Sequence, residues 1–177
     1  MTNPFITLDL SINQGIQNIW NPILNEIIKV ITLFGDGMFI VPLAAIIILF
    51  LSYQKKMKIA YLWVVALVGG VIIEYGLKYL IMRTRPFGGL IQETGYSMPS
   101  GHAIFAIVFF YLLIYTFKDK IRNPTLKTTF LVVCIALMIL IPISRVYLGV
   151  HWFSDIIVGI ILGALWTWAS LKIVNKK

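Results

Sequence analysis

Five long apolar runs, at about 37–54, 58–80, 102–117, 127–147 and 154–173, dominate this sequence and leave it few ways to fold. A helix needs roughly 20 residues to cross a hydrocarbon core, and each run with its flanks supplies them. Backbone polar groups inside a bilayer must be bonded within the protein, so the runs predict helices. Residues of the AVILMFWYC set make up 59% of the 177-residue chain and charged residues 12%, against roughly 25% charged in a soluble domain. A soluble fold of this length has too little interior to hide so much apolar surface. Disorder is excluded by the same composition. The expected fold is all-α: an integral membrane bundle of about five transmembrane helices with an N-terminal amphipathic, or sixth, helix.

The formal net charge is +8, from fifteen Lys and Arg against seven Asp and Glu. Lys55, Lys56 and Lys58 form one cluster, Lys118, Lys120, Arg122 and Lys127 a second, and Lys172, Lys176 and Lys177 a third. If the runs between them cross the bilayer in alternation, all three clusters share one side, which the positive-inside rule makes cytoplasmic. A nucleic-acid binder would group its cations with polar or exposed aromatic residues, so no nucleic-acid partner is expected. Cys134 is the single cysteine and His102 and His151 the two histidines. That excludes an intrachain disulfide and a thiolate cluster, and leaves little for zinc.

Residues 1–35 have a different character. Ile16, Ile19, Ile23, Ile27, Val30 and Phe34 recur at helical spacing, with Gln17, Asn18, Asn25, Glu26 and Lys29 among them. This predicts an amphipathic helix in the membrane interface, in preference to a polar first span packed inside the bundle. The N-terminus has no basic flank before its apolar residues, so no cleavable signal peptide is expected. The organisation expected is one membrane-embedded domain over 1–177, with 1–35 the amphipathic segment and 36–177 the helical core.

With residues 55–58 cytoplasmic, 83–101 and 145–153 share the opposite face, and these stretches hold nearly all the remaining polar chemistry. Lys78, Arg85 and Arg145 are cations at a membrane surface with few anions nearby. Such groups are expensive and tend to be paired or functional. Arginine forks match phosphate oxygens, so three converging cations point to a phosphate ligand. Ser100-Gly101-His102 opens the third run, where free N–H groups and the positive dipole end favour an anion. Gly101 lets the backbone approach it closely. His151 and Asp155 stand four apart, so their side chains meet on one helix face. A carboxylate on one imidazole nitrogen fixes the tautomer and makes the other a better nucleophile or base. His102 can then protonate a leaving oxygen. Glu74, one helical turn before Lys78, is expected to pair with it. Glu93, Tyr96 and Gln92 are read as solvated loop, Arg83 as an anchor at a span end, and Gly159 with Gly163 as a small-residue packing face.

The pattern Lys78…Arg85-Pro86, Pro99-Ser100-Gly101-His102 and Ser144-Arg145…His151…Asp155 resembles the three-part signature of the type 2 phosphatidic acid phosphatase (PAP2) superfamily. The signature covers 78–155, and the apolar pattern extends the likeness over most of the chain. The N-terminal segment departs from it, because six-span members carry a further hydrophobic helix there. The resemblance implies that His151 attacks phosphorus and forms a phosphohistidine, with Asp155 orienting and charging it. His102 would protonate the leaving group and later help activate water. Lys78, Arg85, Arg145, Ser100 and the Gly101 backbone would hold the phosphoryl oxygens, with no metal and no cofactor. The substrate implied is a membrane lipid phosphate or diphosphate in the outer leaflet of a bacterial inner membrane. Polyprenyl (undecaprenyl) diphosphate or broad specificity is favoured over phosphatidylglycerophosphate or the 1-phosphate of lipid A. Haloperoxidases and sugar-phosphate phosphatases of the superfamily fit the span number less well. From another class, a non-catalytic lipid-phosphate binder or an anion transporter would account for the cations, but not for His151, Asp155 and His102 together.

Overall fold

A computed structural model describes residues 4–176, with side chains from Ile6 onward. Among the described residues the secondary structure is entirely helical. The helices are α1 (Pro4–Gln17), α2 (Pro22–Leu33), α3 (Gly37–Tyr53), α4 (Met57–Ile81), α5 (Gly101–Phe117), α6 (Pro124–Tyr147) and α7 (Phe153–Asn175), with a 3₁₀ turn at Lys118–Lys120. The starts follow local chemistry. Asn21 and Asn123 accept from the backbone N–H groups of Leu24 and Leu126, each with proline in the first turn. Asp36 caps α3 through Met38 N, and Ser100 caps α5 through Ala103 N. These are the side chains and positions that satisfy otherwise unpaired helix donors.

Five stretches are long and apolar enough to cross a membrane: Pro22–Tyr53, Met57–Ile81, Gly101–Lys120, Pro124–Tyr147 and Phe153–Asn175. The last four coincide with runs expected from the sequence to within a few residues, and α3 supplies the first. The protein is a multi-pass membrane protein. Helix α5 is its axis, burying Ala103, Ile104, Ala106, Val108, Phe109 and Leu112 against α4, α6 and α7. Helix α7 comes closest, because a side chain at Gly159 or Gly163 would collide with Ala103 and the Ser100 and Ile104 carbonyls. The small-residue face expected at these glycines is therefore the α5–α7 seam. Trp63 of α4 stacks edge-on against Phe109 and bonds to Thr116 Oγ1 at 3.0 Å. The bundle exterior carries exposed Leu49, Ile72, Val132, Ile161 and Leu165, as a lipid-facing surface must.

The N-terminal segment differs from the single helix expected. The chain breaks at 18–21, where Pro22 lacks the N–H a continuous helix needs, giving α1 and α2. The apolar stripe is also divided. Ile19, Ile23, Ile27 and Val30 are exposed, while Trp20, Leu24 and Ile28 pack on Tyr147, Leu148 and Val150. Trp20 Nε1 donates to the Tyr147 carbonyl at 2.8 Å, and Tyr147 Oη donates to Asn25 Oδ1 at 2.8 Å. Helix α1 places Ile12 and Ile16 against Ala103, Val146 and Ile156. Both helices thus cover the end of the bundle formed by 82–100 and 148–152. That end is tied together by Leu90 N to Leu148 O (2.9 Å) and Ser100 N to Asp155 O (3.2 Å).

Candidate active site

Helix α4 brings Glu74 and Lys78 to this end, the following loop Arg83, Arg85 and Glu93, and the start of α5 Ser100, Gly101 and His102. The end of α6 brings Arg145, the next turn His151, and the first turn of α7 Asp155.

His151 is 2% exposed. Its Nδ1 lies 3.3 Å from Asp155 Oδ2, and its Nε2 lies 3.2 Å from Arg85 Nη1. A carboxylate only accepts and a guanidinium only donates, so both neighbours demand one tautomer. Nδ1 carries the proton, and Nε2 presents its lone pair to Arg85. Burial, helped by the Arg85 charge and opposed by the Asp155 hydrogen bond, lowers the His151 pKa to about 4. The imidazole is neutral at ordinary pH, the state in which a ring nitrogen can act as a nucleophile. Asp155 also caps α7, with Oδ2 accepting from Trp152 N at 2.9 Å.

Arg85 is held by carbonyls, at 2.8 Å from Val150 O, 3.1 Å from Gly95 O and 3.2 Å from Thr94 O. Burial lowers its pKa while Glu93, Asp155 and Glu74 act in the opposite sense, and an arginine stays charged regardless. Arg145 is 2% exposed. It donates through Nη1 to Thr32 Oγ1 at 2.9 Å and through Nη2 to Glu93 Oε1. Glu93 also lies 3.9 Å from Arg85 Nη2. Its burial would raise its pKa, but Arg145 and Arg85 outweigh that and hold the carboxyl below the usual range. Lys78 Nζ meets Glu74 Oε1 at 2.7 Å, the pairing expected from their spacing.

These groups head a cavity of about 830 Å³ whose walls include Lys78, Arg85, Gly101, His102, Arg145 and His151. Gly101 has no side chain to spare room for, because a Cβ there would strike the Glu74 carboxylate. Below the head the walls turn apolar, with Ile40, Ala44 and Ile48 of α3 facing Val64, Leu67 and Val71 of α4. From Glu74 to Val64 the α4 wall runs about 15 Å at the helical rise. Among the described residues three buried side-chain atoms lack a hydrogen-bond partner: Asn13 Nδ2, His102 Nε2 and Arg145 Nε. The last two belong to residues on this cavity. An unmet buried donor or acceptor costs about 1–3 kcal/mol, so both point to a polar ligand at the head.

Of the residues singled out from the sequence, Glu74, Lys78, Arg85, Gly101, His102, Arg145 and His151 line the cavity, Asp155 stands behind His151, and Ser100 stands behind Gly101. The Ser100 hydroxyl is fully buried and accepts from Ala103 N at 3.5 Å, so its place here is the helix cap. Four residues join them that the sequence did not single out for the site. Arg83, expected to be an anchor, instead donates to Asp155 Oδ1 at 2.7 Å and to Asp9 Oδ2 at 2.6 Å. Asp9 is 2% exposed. Thr32 and Glu93 both hold Arg145. Glu93, expected to be solvated loop, is exposed on the loop and is also ion-paired to Arg145. The available signal was the number of cations, which a buried site must balance with nearby anions.

The family model described as the PAP2 superfamily matches residues 57–177. The chain is 32% identical over 168 residues to a phosphatidylglycerophosphatase B of Bacillus subtilis, covering 93% of this chain and 82% of that protein. It is 27% identical over 157 residues to an undecaprenyl-diphosphatase of Sulfolobus acidocaldarius, covering 85% of this chain and 70% of that one. Among solved structures, the transmembrane PAP2-type phosphatidylglycerolphosphate phosphatase of Bacillus subtilis superposes with a TM-score of 0.85 at 30% identity, over 99% of this chain and 88% of that one. Aquifex aeolicus LpxE superposes with a TM-score of 0.70 at 25% identity, over 92% and 94%. With the family match spanning helices α4 to α7, and 99% of the chain superposing on a solved member, this chain belongs to the PAP2 superfamily as a membrane phosphatase.

Proposed function

We propose that this protein removes phosphate from a membrane lipid phosphate or diphosphate at the outer leaflet of the cell's inner membrane, through a phosphohistidine on His151 and without a metal. The single observation that carries this reading is the His151 geometry. One ring nitrogen is held by Asp155, and the other offers a lone pair to a cavity head with three cations and an apolar arm.

A phosphate entering the head takes hydrogen bonds from Arg85, Arg145 and Lys78 and from the α5 N-terminus at Gly101. Arg85 then donates to the phosphate, which frees the His151 lone pair. Nε2 attacks phosphorus, the bond from phosphorus to the leaving oxygen breaks, and His102 gives its proton to that oxygen. The phosphate enters as its protonated monoanion and passes that proton to His102 before this step. Asp155 stabilises the positive charge that grows on His151. Water then loses a proton to His102 and attacks phosphorus, the N–P bond breaks, and inorganic phosphate leaves. The neutral imidazole is restored.

The apolar arm between α3 and α4 suits a lipid chain, so the substrate class is a lipid and not a soluble phosphate ester. Within it, the likenesses above support both phosphatidylglycerophosphate and a polyprenyl diphosphate. The chain acts as one domain, with α1 and α2 covering the site end. The test is phosphate release by purified protein in detergent with excess EDTA, across these two lipids, lipid A and phosphatidic acid, beside His151→Ala. Release that survives EDTA and disappears in the variant supports the reading. Equal release by the variant, or none from any lipid, overturns it.

A further inference from the structure

A second polar chain lies behind His151 and Asp155, takes no part in the steps above, and ends on the first helix. Asp9 is 2% exposed, although Ile6, Leu8 and Leu10 around it are about half exposed. Its Oδ1 accepts from Ser154 N at 2.9 Å, and its Oδ2 from Ser154 Oγ at 2.5 Å and Arg83 Nη2 at 2.6 Å. Arg83 Nη1 donates to Ser154 Oγ at 2.6 Å and to Asp155 Oδ1 at 2.7 Å. The donors and acceptors run in one direction: Arg83 to the Ser154 oxygen, the Ser154 proton to Asp9. Arg83 also stacks on Trp152, 5.5 Å from its ring centre.

Two physical consequences follow for Asp155. Its Oδ2 serves His151 and Trp152 N, so the orientation of the carboxylate depends on what holds Oδ1, and that is Arg83. An arginine whose whole charge fell on Asp155 would draw negative charge away from the imidazole. Asp9 gives the guanidinium a second carboxylate, so its charge is shared and Asp155 keeps its influence on His151. Burial would raise the Asp9 pKa, but Ser154 and Arg83 together hold it below its usual value.

We propose that Asp9 and Arg83 are positioning residues for the His151–Asp155 pair, so that the seating of helix α1 on the bundle sets the rate of the reaction. This rests on the phosphatase reading for its kinetic consequence, but not for its structural one. Helix α1 is then part of the reaction machinery and not only a cover.

The test uses the full chain in detergent micelles with a short-chain phosphatidic acid as substrate, comparing Asp9→Asn, Asp155→Asn and the double variant. The expected result is a kcat for Asp9→Asn lower by about 10- to 100-fold, as for a small misplacement of a reacting group, with KM within about twofold. In the Asp155→Asn background the same change is expected to cost less than about twofold, because the residue it acts through is gone. An equal loss in both backgrounds, or no loss in either, overturns the proposal. If Asp9→Asn does not fold, Ser154→Ala is read in the same way, since it leaves Ser154 N–H on Asp9. The independent readout is the Nδ1–H proton resonance of His151, identified by its loss in His151→Ala. It is expected to broaden by exchange with water in Asp9→Asn, and an unchanged resonance overturns the proposal. A broadened resonance in a protein that releases no phosphate keeps this inference and removes the phosphatase reading.

Discussion

Arg85 Nη1 lies 3.2 Å from His151 Nε2 while also bonding to the Val150 carbonyl at 2.8 Å. Under the proposed mechanism, the resting site therefore covers the nucleophile with the cation that binds substrate. Arg85→Lys keeps a charge but loses the fork that reaches Val150, Gly95 and the imidazole at once. The expected outcome is a higher KM together with a kcat lower by about 100-fold, an effect of lost positioning. Steady-state kinetics on a lipid phosphate check it, and a change in KM alone would mean that Arg85 only binds.

The depressed His151 pKa sets a direction for pH dependence. In the proposed mechanism neutral imidazole is the attacking form, and burial keeps His151 neutral down to about pH 4. The acid limb of kcat/KM for the free enzyme is therefore expected near 4 and not near the ordinary histidine value of about 6.5. Stability follows the same sign. The unfolded chain takes up a proton near 6.5 that the folded site refuses, so this contribution is complete above 6.5 and is lost as pH falls toward 4. A pH–rate profile with the limb at 6.5 would contradict the neutral, buried assignment.

Glu93 occupies Arg145 and stands 3.9 Å from Arg85, where a phosphate would compete with it. Glu93→Gln removes the charge and keeps the shape. Inorganic phosphate is expected to inhibit this variant about tenfold more tightly, equivalent to roughly 1.4 kcal/mol. Product-inhibition constants check it. Weaker inhibition would show that Glu93 supports the phosphate site by orienting Arg145.

At the α5–α7 seam, Gly159→Ala would press a methyl group on Ala103 and the Ser100 carbonyl, both closer than ordinary contact. Neither backbone nor Cβ can yield without moving the cap of α5. The expected result is a fall in Tm of roughly 2–4 °C for each kcal/mol of an overpacking cost of about 1–3 kcal/mol. Thermal unfolding in detergent measures it.

The transmembrane helices were legible because apolar run length is a strong constraint in a bilayer. The site was legible where its residues are unusual for a membrane chain: two histidines, and cations at span ends. Asp9, Thr32 and Arg83 were not. A single aspartate on an amphipathic segment, or a threonine near a helix end, has no local pattern that distinguishes it. Their roles arise from contacts more than 70 positions apart, as for Arg83 with Asp9 and Arg145 with Thr32. The break before Pro22 had its signal in Asn21-Pro22, but apolar spacing continues through it. Ile23, Ile27 and Val30 face away from the protein, so their regularity reports a lipid-facing surface and not one uninterrupted helix.

The central claim is that His151 carries the phosphoryl group. The most direct measurement is acid-free rapid quench of the enzyme with a lipid labelled in its terminal phosphate, followed by mass spectrometry of the peptide containing residue 151. The account predicts a labelled phosphohistidine at His151 that is stable in base, lost in acid, and absent from His151→Ala. Turnover with no label on His151 at any quench time would contradict it.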